Sequence, residues 1–297
     1  MSAVPGTLSG QATVEQLEPL AAGDRQSGTR KKPVWRYTIV VFVITGLALV
    51  PVGVTIWEAF KPQLSSTSHA VFTWSNFSYI FSQTGVFTWL RNSLIVTSCT
   101  VVFAVVVACP AGYVLSRARS KAINGYALLL FVGQSFPVIV SAVPLFILFS
   151  HVNLDDNLLG VAIVYVCSSI SVAVWMMAAY IDTVPVSLEE SGWIDGCSLY
   201  GGFIKIVLRN CLPGILSTAI FAFLIAWNDF LIAVVFLRSS SNFTLPLGLE
   251  TFFSENTTQW GYVMALSVVV MVPPIVIFTL LHRYFSIGGI GGSLGGH

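Results

Sequence analysis

Along this chain the apolar positions do not alternate with polar ones; they run on. Six stretches, at about 37–60, 92–115, 124–150, 157–182, 214–238 and 261–285, are almost uninterrupted in apolar and small residues. Each is long enough for the roughly 20 residues a helix needs to cross a bilayer. A membrane barrel would instead show ~10-residue segments of alternating character. The pattern predicts an all-α, polytopic membrane protein with six transmembrane helices. Composition agrees: 55% of the 297 residues are apolar and 9% charged, against about 25% charged in a soluble domain.

The polar segments carry the rest of the organisation. The first 33 residues are rich in Ser, Gly, Gln and charge without apolar periodicity, which predicts a disordered tail rather than a cleaved leader. The expected plan is a tail at 1–35, a six-span domain at 36–285 and a Gly-rich tail at 286–297. If the N-terminus is cytoplasmic, eleven of the 14 basic residues fall on that side, leaving Lys61, Arg91 and Arg238 outside. That bias predicts both termini inside. Asn76, Asn242 and Asn256 begin formal glycosylation triplets, for which chance is the simpler reading.

Catalytic signatures are missing. No lysine stands in a phosphate-cradling Gly-rich loop, the four histidines lack metal-ligand spacing, and the five cysteines form no C-x-x-C pair. The sequence offers no catalytic residues, no metal ligands and no cofactor site. Work against a gradient would then draw on a partner or on an ion.

The densest acidic cluster lies between the fourth and fifth runs, in 187-SLEESGWIDGCSLYGGF-203. Ser187 and Glu190 have capping-box spacing, predicting a helix from about Leu188. Asp195-Gly196 ends it, since glycine tolerates the left-handed turn after a helix. Ser198 is positioned to cap a second helix, whose Leu199, Phe203, Ile206 and Val207 recur at helical spacing. Pro213 suits the opening of the fifth span. The loop thus reads as two short helices at an angle; the alternatives are a solvated connection and a docking surface for another protein.

Polar groups inside spans are expensive in lipid and default to functional candidates. Asn228 and Asp229 stand in the fifth run, Asp229 fifteen residues beyond Gly214, or roughly 22 Å along a helix. Asp229 either lines a water-filled path and binds hydroxyls or caps and pairs near the outer boundary. Gln134 and Ser135, just before Pro137, are the other candidates for the path. Trp175 and Trp227 are either stacking surfaces for a sugar ring or ordinary anchors. An ion-coupled secondary carrier using Asp229 is the rival function; it predicts buried acids in both halves of the chain, and only the second half has one.

Glu190-Ser191-Gly192 and Asp195-Gly196 resemble the "EAA" loop of permease subunits in ABC importers: Glu-Ala-Ala, three residues, then Gly. The segments 91-RNSLIVT-97, 111-AGYVLSRARS-120, 226-AWNDFLIAVVFL-237, 243-FTLPLGLETFF-253 and 260-WGYVMALSVVV-270 resemble the carbohydrate branch of that family, in order over about 36–285. The resemblance implies the type I importer permease fold with a cytoplasmic coupling helix within loop 183–213. It implies a second related permease, a cytoplasmic ATPase dimer carrying ATP and Mg, an extracytoplasmic solute-binding protein and the bacterial inner membrane as partners, and no nucleic acid. Glu190 would pair with a basic residue of the ATPase, Gly192 would allow close approach, and Gly196 would set the bend. Three features depart from the pattern: Ser191 and Gly192 replace the alanines, Arg209 replaces a proline, and 288–297 holds six glycines without the usual lysine.

Overall fold

A computed structural model of the chain describes residues 34–62, 71–135, 137–253 and 259–285. Apart from positions 34 and 35, the predicted tails lie outside these residues, as does Asn256. Every regular element among the described residues is helical. The chain divides into two compact units, one ending at Pro51 and one beginning at Val52. The first contributes the front of helix α1 (Val34–Ala59). Its Val40, Phe42 and Leu47 are exposed, an apolar surface all round that suits lipid and not water.

In the second unit, α2 (Ser75–Gln83) leads into α3 (Val86–Arg117), which packs along α6 (Leu158–Asp182); α10 (Leu212–Asn228) lies against both. Within a bilayer apolar burial gives helices little reason to associate, so small residues and close packing decide the contact. Thr100, Ala104, Ala108 and Gly112 of α3 recur every fourth position and are all buried. A methyl at Gly112 would stand 2.7 Å from the Met177 Cβ of α6. The interface between α3 and α6 therefore has no room for a side chain there.

Four of the predicted spans are continuous helices: α1, α3, α6 and α13 (Trp260–Phe285). The other two are corrected to broken elements. The stretch predicted as one span over 124–150 is two 14-residue helices, α4 (Lys121–Gln134) and α5 (Val138–His151). Pro137 precedes the first turn of α5, where its missing N–H costs nothing. The fifth stretch, predicted as 214–238, stops at Asn228 and resumes as α11 (Leu231–Phe236), followed by α12 (Leu245–Glu250). Pro110 and the Pro273–Pro274 pair sit inside α3 and α13 without ending them.

Candidate functional site

The loop between α6 and α10 folds as a helical hairpin. Its first arm, α7, spans Val186–Ile194. The expected capping box does not form: the helix starts at Val186 behind Pro185, with no side-chain cap. Proline's fixed φ enforces the start, so Ser187 lies inside the helix, where its carbonyl accepts from Ser191 Oγ at 2.8 Å. The C-terminus is as expected. Gly196 has φ +85°, its N–H donates to Trp193 O at 3.0 Å, and the Cys197 N–H donates to Gly192 O at 2.9 Å. This pair of bonds is the Schellman closure that a left-handed glycine permits.

The second arm opens with α8 (Leu199–Gly202), capped by Ser198 Oγ accepting from the Gly201 N–H at 3.1 Å. It continues through a π-helical stretch, Phe203–Val207, into α9 (Leu208–Asn210). At Cys211 the axis turns by 75° into α10, with Pro213 in the first turn. Of the predicted apolar stripe, Val207 is buried and Phe203 and Ile206 are partly buried, while Leu199, at the start of the arm, is exposed.

Sequence reasoning passed over the residue that fastens this hairpin. Glu189 is 1% exposed. Arg117, at the end of α3, holds its Oε1 with Nε at 2.8 Å and Nη2 at 2.7 Å. The Tyr113 hydroxyl donates to Oε2 at 2.8 Å. Arg117 Nη2 also donates to Val184 O at 2.8 Å, and the Tyr113 ring lies 4.9 Å from that of Phe203 on the second arm. A charge this deeply buried persists only when paired and hydrogen-bonded, and here both conditions hold. The signal was present in sequence as Tyr113 and Arg117 four residues apart, hence on one helix face, ahead of two adjacent glutamates; what it lacked was any way to choose between those two.

Glu190, the neighbour singled out by sequence, is exposed, as are Ser191 and Asp195. Gly192 is buried, and a methyl on it would meet Ile206 Cδ1 at 2.3 Å. The close approach at Gly192 is thus made within the hairpin, between its own two arms. Outward the hairpin presents Ile194 (86% exposed), Leu199 and Tyr200 (79% exposed).

The residues expected along a path do not come together. Gln134 lines a cavity of about 170 Å³ with Ser141, Cys167, Ser168 and Ser171; Ser135 is exposed and bonds back to Phe131 O at 3.0 Å. Asn228 lines a separate cavity of about 710 Å³ with Phe230, Glu250, Phe253 and Ser267. Asp229 lines neither. Its Oδ1 accepts from the Tyr165 hydroxyl at 2.9 Å and from the N–H groups of Ile232 and Ala233 at 2.9 and 3.4 Å. It caps α11 and pairs with α6, the structural alternative for this residue, and competition from its side chain is why the fifth stretch breaks here. Trp227 is buried, stacks on Phe223 at 5.5 Å and donates to Val270 O at 3.1 Å, so it offers no surface for a sugar. Trp175 is partly exposed. Asn76 is buried and donates to Ala59 O and Lys61 O, which rules out glycosylation of the folded chain at that position.

Long apolar helices, two of the apolar stretches broken, with a helical hairpin bonded to the end of α3, define a polytopic helical membrane protein. Residues 101–286 match the family of binding-protein-dependent transport system inner membrane components, and the chain belongs to it. The inner membrane ABC transporter permease protein YcjP of Escherichia coli is 33% identical over 70% of this chain and 74% of its own length. The arabinooligosaccharides transport system permease protein AraQ of Halalkalibacterium halodurans is 31% identical over 87% of this chain and 96% of its own. The fold is that of a solved bacterial ABC transporter chain involved in import of the acidic polysaccharide alginate, with a TM-score of 0.71, 19% identity, and coverage of 84% of this chain and 96% of that one. Membership in this family sets aside the ion-coupled carrier reading, in agreement with the structural role of Asp229.

Proposed function

We propose that this chain is one of two related permeases in an ATP-driven importer of a sugar or sugar-like polyol, with loop 183–213 as its coupling lever. The observation that carries the reading is the hairpin's two faces. One is bonded to α3 through Glu189 and Arg117; the other leaves Glu190, Ile194, Leu199 and Tyr200 uncovered. A lever needs this combination: rigid attachment to the spans, and a surface on which another subunit pushes. Relatives named for arabinooligosaccharides and diacetylchitobiose support the sugar class.

In this reading a cytoplasmic ATPase dimer holds ATP and Mg and clasps the exposed face of α7. Glu190 pairs with a basic residue there, Ser191 and Asp195 lie at the contact, and Gly192 and Gly196 hold the hairpin's shape. Closure of the ATPase then moves α3, α6 and α10 as a body, and the path opens to one side at a time. A solute-binding protein delivers the solute from the far side. Arg117, Arg119, Lys121, Lys205 and Arg209 all border the hairpin end of the spans, which supports that end, and both termini, as cytoplasmic. The domain plan of two flanking tails and one six-span domain belongs to the same proposal.

The test is purification of the tagged chain from native membranes in mild detergent, with co-purifying proteins identified by mass spectrometry. A second permease and an ATPase at comparable stoichiometry are expected. Recovery of the chain alone, as monomer or homo-oligomer, overturns the reading. In the recovered complex, Glu190→Ala together with Ile194→Ser is expected to abolish ATPase stimulation by the binding protein.

A further inference from the structure

The cavity beside the break at Asn228 carries one charged side chain among largely apolar walls. It holds about 710 Å³ between the end of α10, α12 and the N-terminal half of α13, a size suited to a small solute. Its walls are largely apolar: Phe230, Pro246, Leu249, Phe253, Val270 and Met271. Its polar groups are the Asn228 amide, the Glu250 carboxylate and the Ser267 hydroxyl. The Ser267 hydroxyl is engaged, donating to Val263 O at 2.7 Å, and one of the two Asn228 amide N–H groups donates to Leu224 O at 2.9 Å, leaving the second for a solute. What remains towards a solute is mostly acceptor. Glu250 is the one ionisable side chain among the described lining residues, with no lysine or arginine among them.

We propose that this cavity is a solute-contact site for neutral or amine-bearing polyhydroxylated compounds, and that Glu250 excludes anionic ones. Solute hydroxyls or an ammonium donate to Glu250, Asn228 and Ser267, while Phe230 and Phe253 meet the apolar face of a sugar ring. Glu250 is exposed beside these apolar walls, and its charge repels an anion approaching the cleft. The shared fold with an importer of an acidic polysaccharide does not decide the charge of the solute; the lining does. The proposal rests on the permease reading and assigns this chain a part in choosing what passes.

The test needs no known substrate. Ser267→Cys is placed in the detergent-purified complex and reacted with two methanethiosulfonates of similar size, one carrying trimethylammonium and one sulfonate. Rates at the introduced thiol are read peptide by peptide, apart from the native cysteines, and normalised to each reagent's rate with a free small thiol. The cation is expected to react about tenfold faster than the anion at low salt, as for a charge within a few ångströms of a carboxylate. Adding Glu250→Gln brings the ratio to about one, and Glu250→Lys inverts it. A ratio indifferent to residue 250 overturns the charge selection while leaving the permease reading, which rests on the co-purified subunits, intact. A Ser267→Cys variant silent to both reagents and to neutral methyl methanethiosulfonate, with Met271→Cys equally silent, overturns the site itself.

Discussion

The two ends of α3 hold very different structures. At one end Trp89 Nε1 donates to Ser240 O at 3.0 Å, Asn92 Nδ2 to Ser241 O and Phe243 O at 2.8 and 3.0 Å, and the Leu245 N–H to Ser93 Oγ at 2.7 Å. Asp156, in the turn before α6, completes the clamp by accepting from the N–H groups of Arg238 and Ser239 and from the Ser239 hydroxyl. Many modest bonds, mostly to backbone, immobilise a segment that has one short 3-10 turn, Ser240–Asn242, and otherwise needs partners for its peptide groups. At the other end Tyr113 and Arg117 grip one buried glutamate and leave most of the hairpin's outer face bare. Distributed pinning makes a floor; a single charged joint under an uncovered surface makes a handle.

The largest effect separating the two ends should come from the joint. Glu189→Ala leaves Arg117 without its counter-charge, and Arg117→Ala leaves a buried carboxylate; losing one partner of such a pair costs about 3–5 kcal/mol. Either variant is expected to lower the midpoint of thermal aggregation in detergent sharply, and Glu189→Gln less so. If Glu189→Ala melts like the wild type, the joint is not what holds the hairpin.

Next in size is the clamp. Asn92→Leu strands the carbonyls of Ser241 and Phe243 and should cost about 1–3 kcal/mol, read by the same melt, with ATPase coupling preserved in the protein that remains folded. Coupling lost in parallel with stability would mean that the two ends are not distinct in function.

Smaller and pH-dependent is the part of Asp156. Partial burial alone raises its pKa, but hydrogen bonds from Ser239 Oγ, the N–H groups of Arg238 and Ser239, and Asn242 outweigh this and hold it below its ordinary 3.8. A carboxyl depressed on folding stabilises above its unfolded pKa, and that contribution is lost as pH falls through the folded value. The melting difference between wild type and Asp156→Asn should therefore be constant from neutrality down to about pH 5 and shrink below about pH 4. The joint at Glu189 is unaffected by Asp156→Asn, so a double variant should be additive.

The smallest effect on stability belongs to the exposed face. Glu190→Ala and Tyr200→Ala remove nothing buried and should shift stability within about 0.5 kcal/mol. Their expected effect is on ATPase stimulation and transport, the reverse of Asn92→Leu. A Glu190 variant that couples normally would move the contact elsewhere on the hairpin.

Adjacent glutamates show how far the sequence reaches. It located the loop, its two helices, the glycine that closes the first and the serine that caps the second, because these depend on backbone conformation and on neighbours within four residues. It located four spans as well, since hydrocarbon length is local. Which of Glu189 and Glu190 faces inward depends on the angle at which α7 meets α3, and this comes from Pro185, Gly192 against Ile206, and the reach of Arg117 across 72 positions. The break at Asn228 was hidden for the same reason: Asp229 caps α11 in concert with Tyr165, 64 positions away, and apolar composition does not reveal such a partner.

Contiguous residues were therefore enough to establish a helical membrane protein with a polar hairpin between its fourth and fifth apolar runs, because lipid length and turn chemistry are local properties. It took the packed chain to make Glu189 the joint and Asp229 a cap, and to bring Glu250 and Asn228 to one cavity. Each of those roles is set by groups that meet only once the spans have packed.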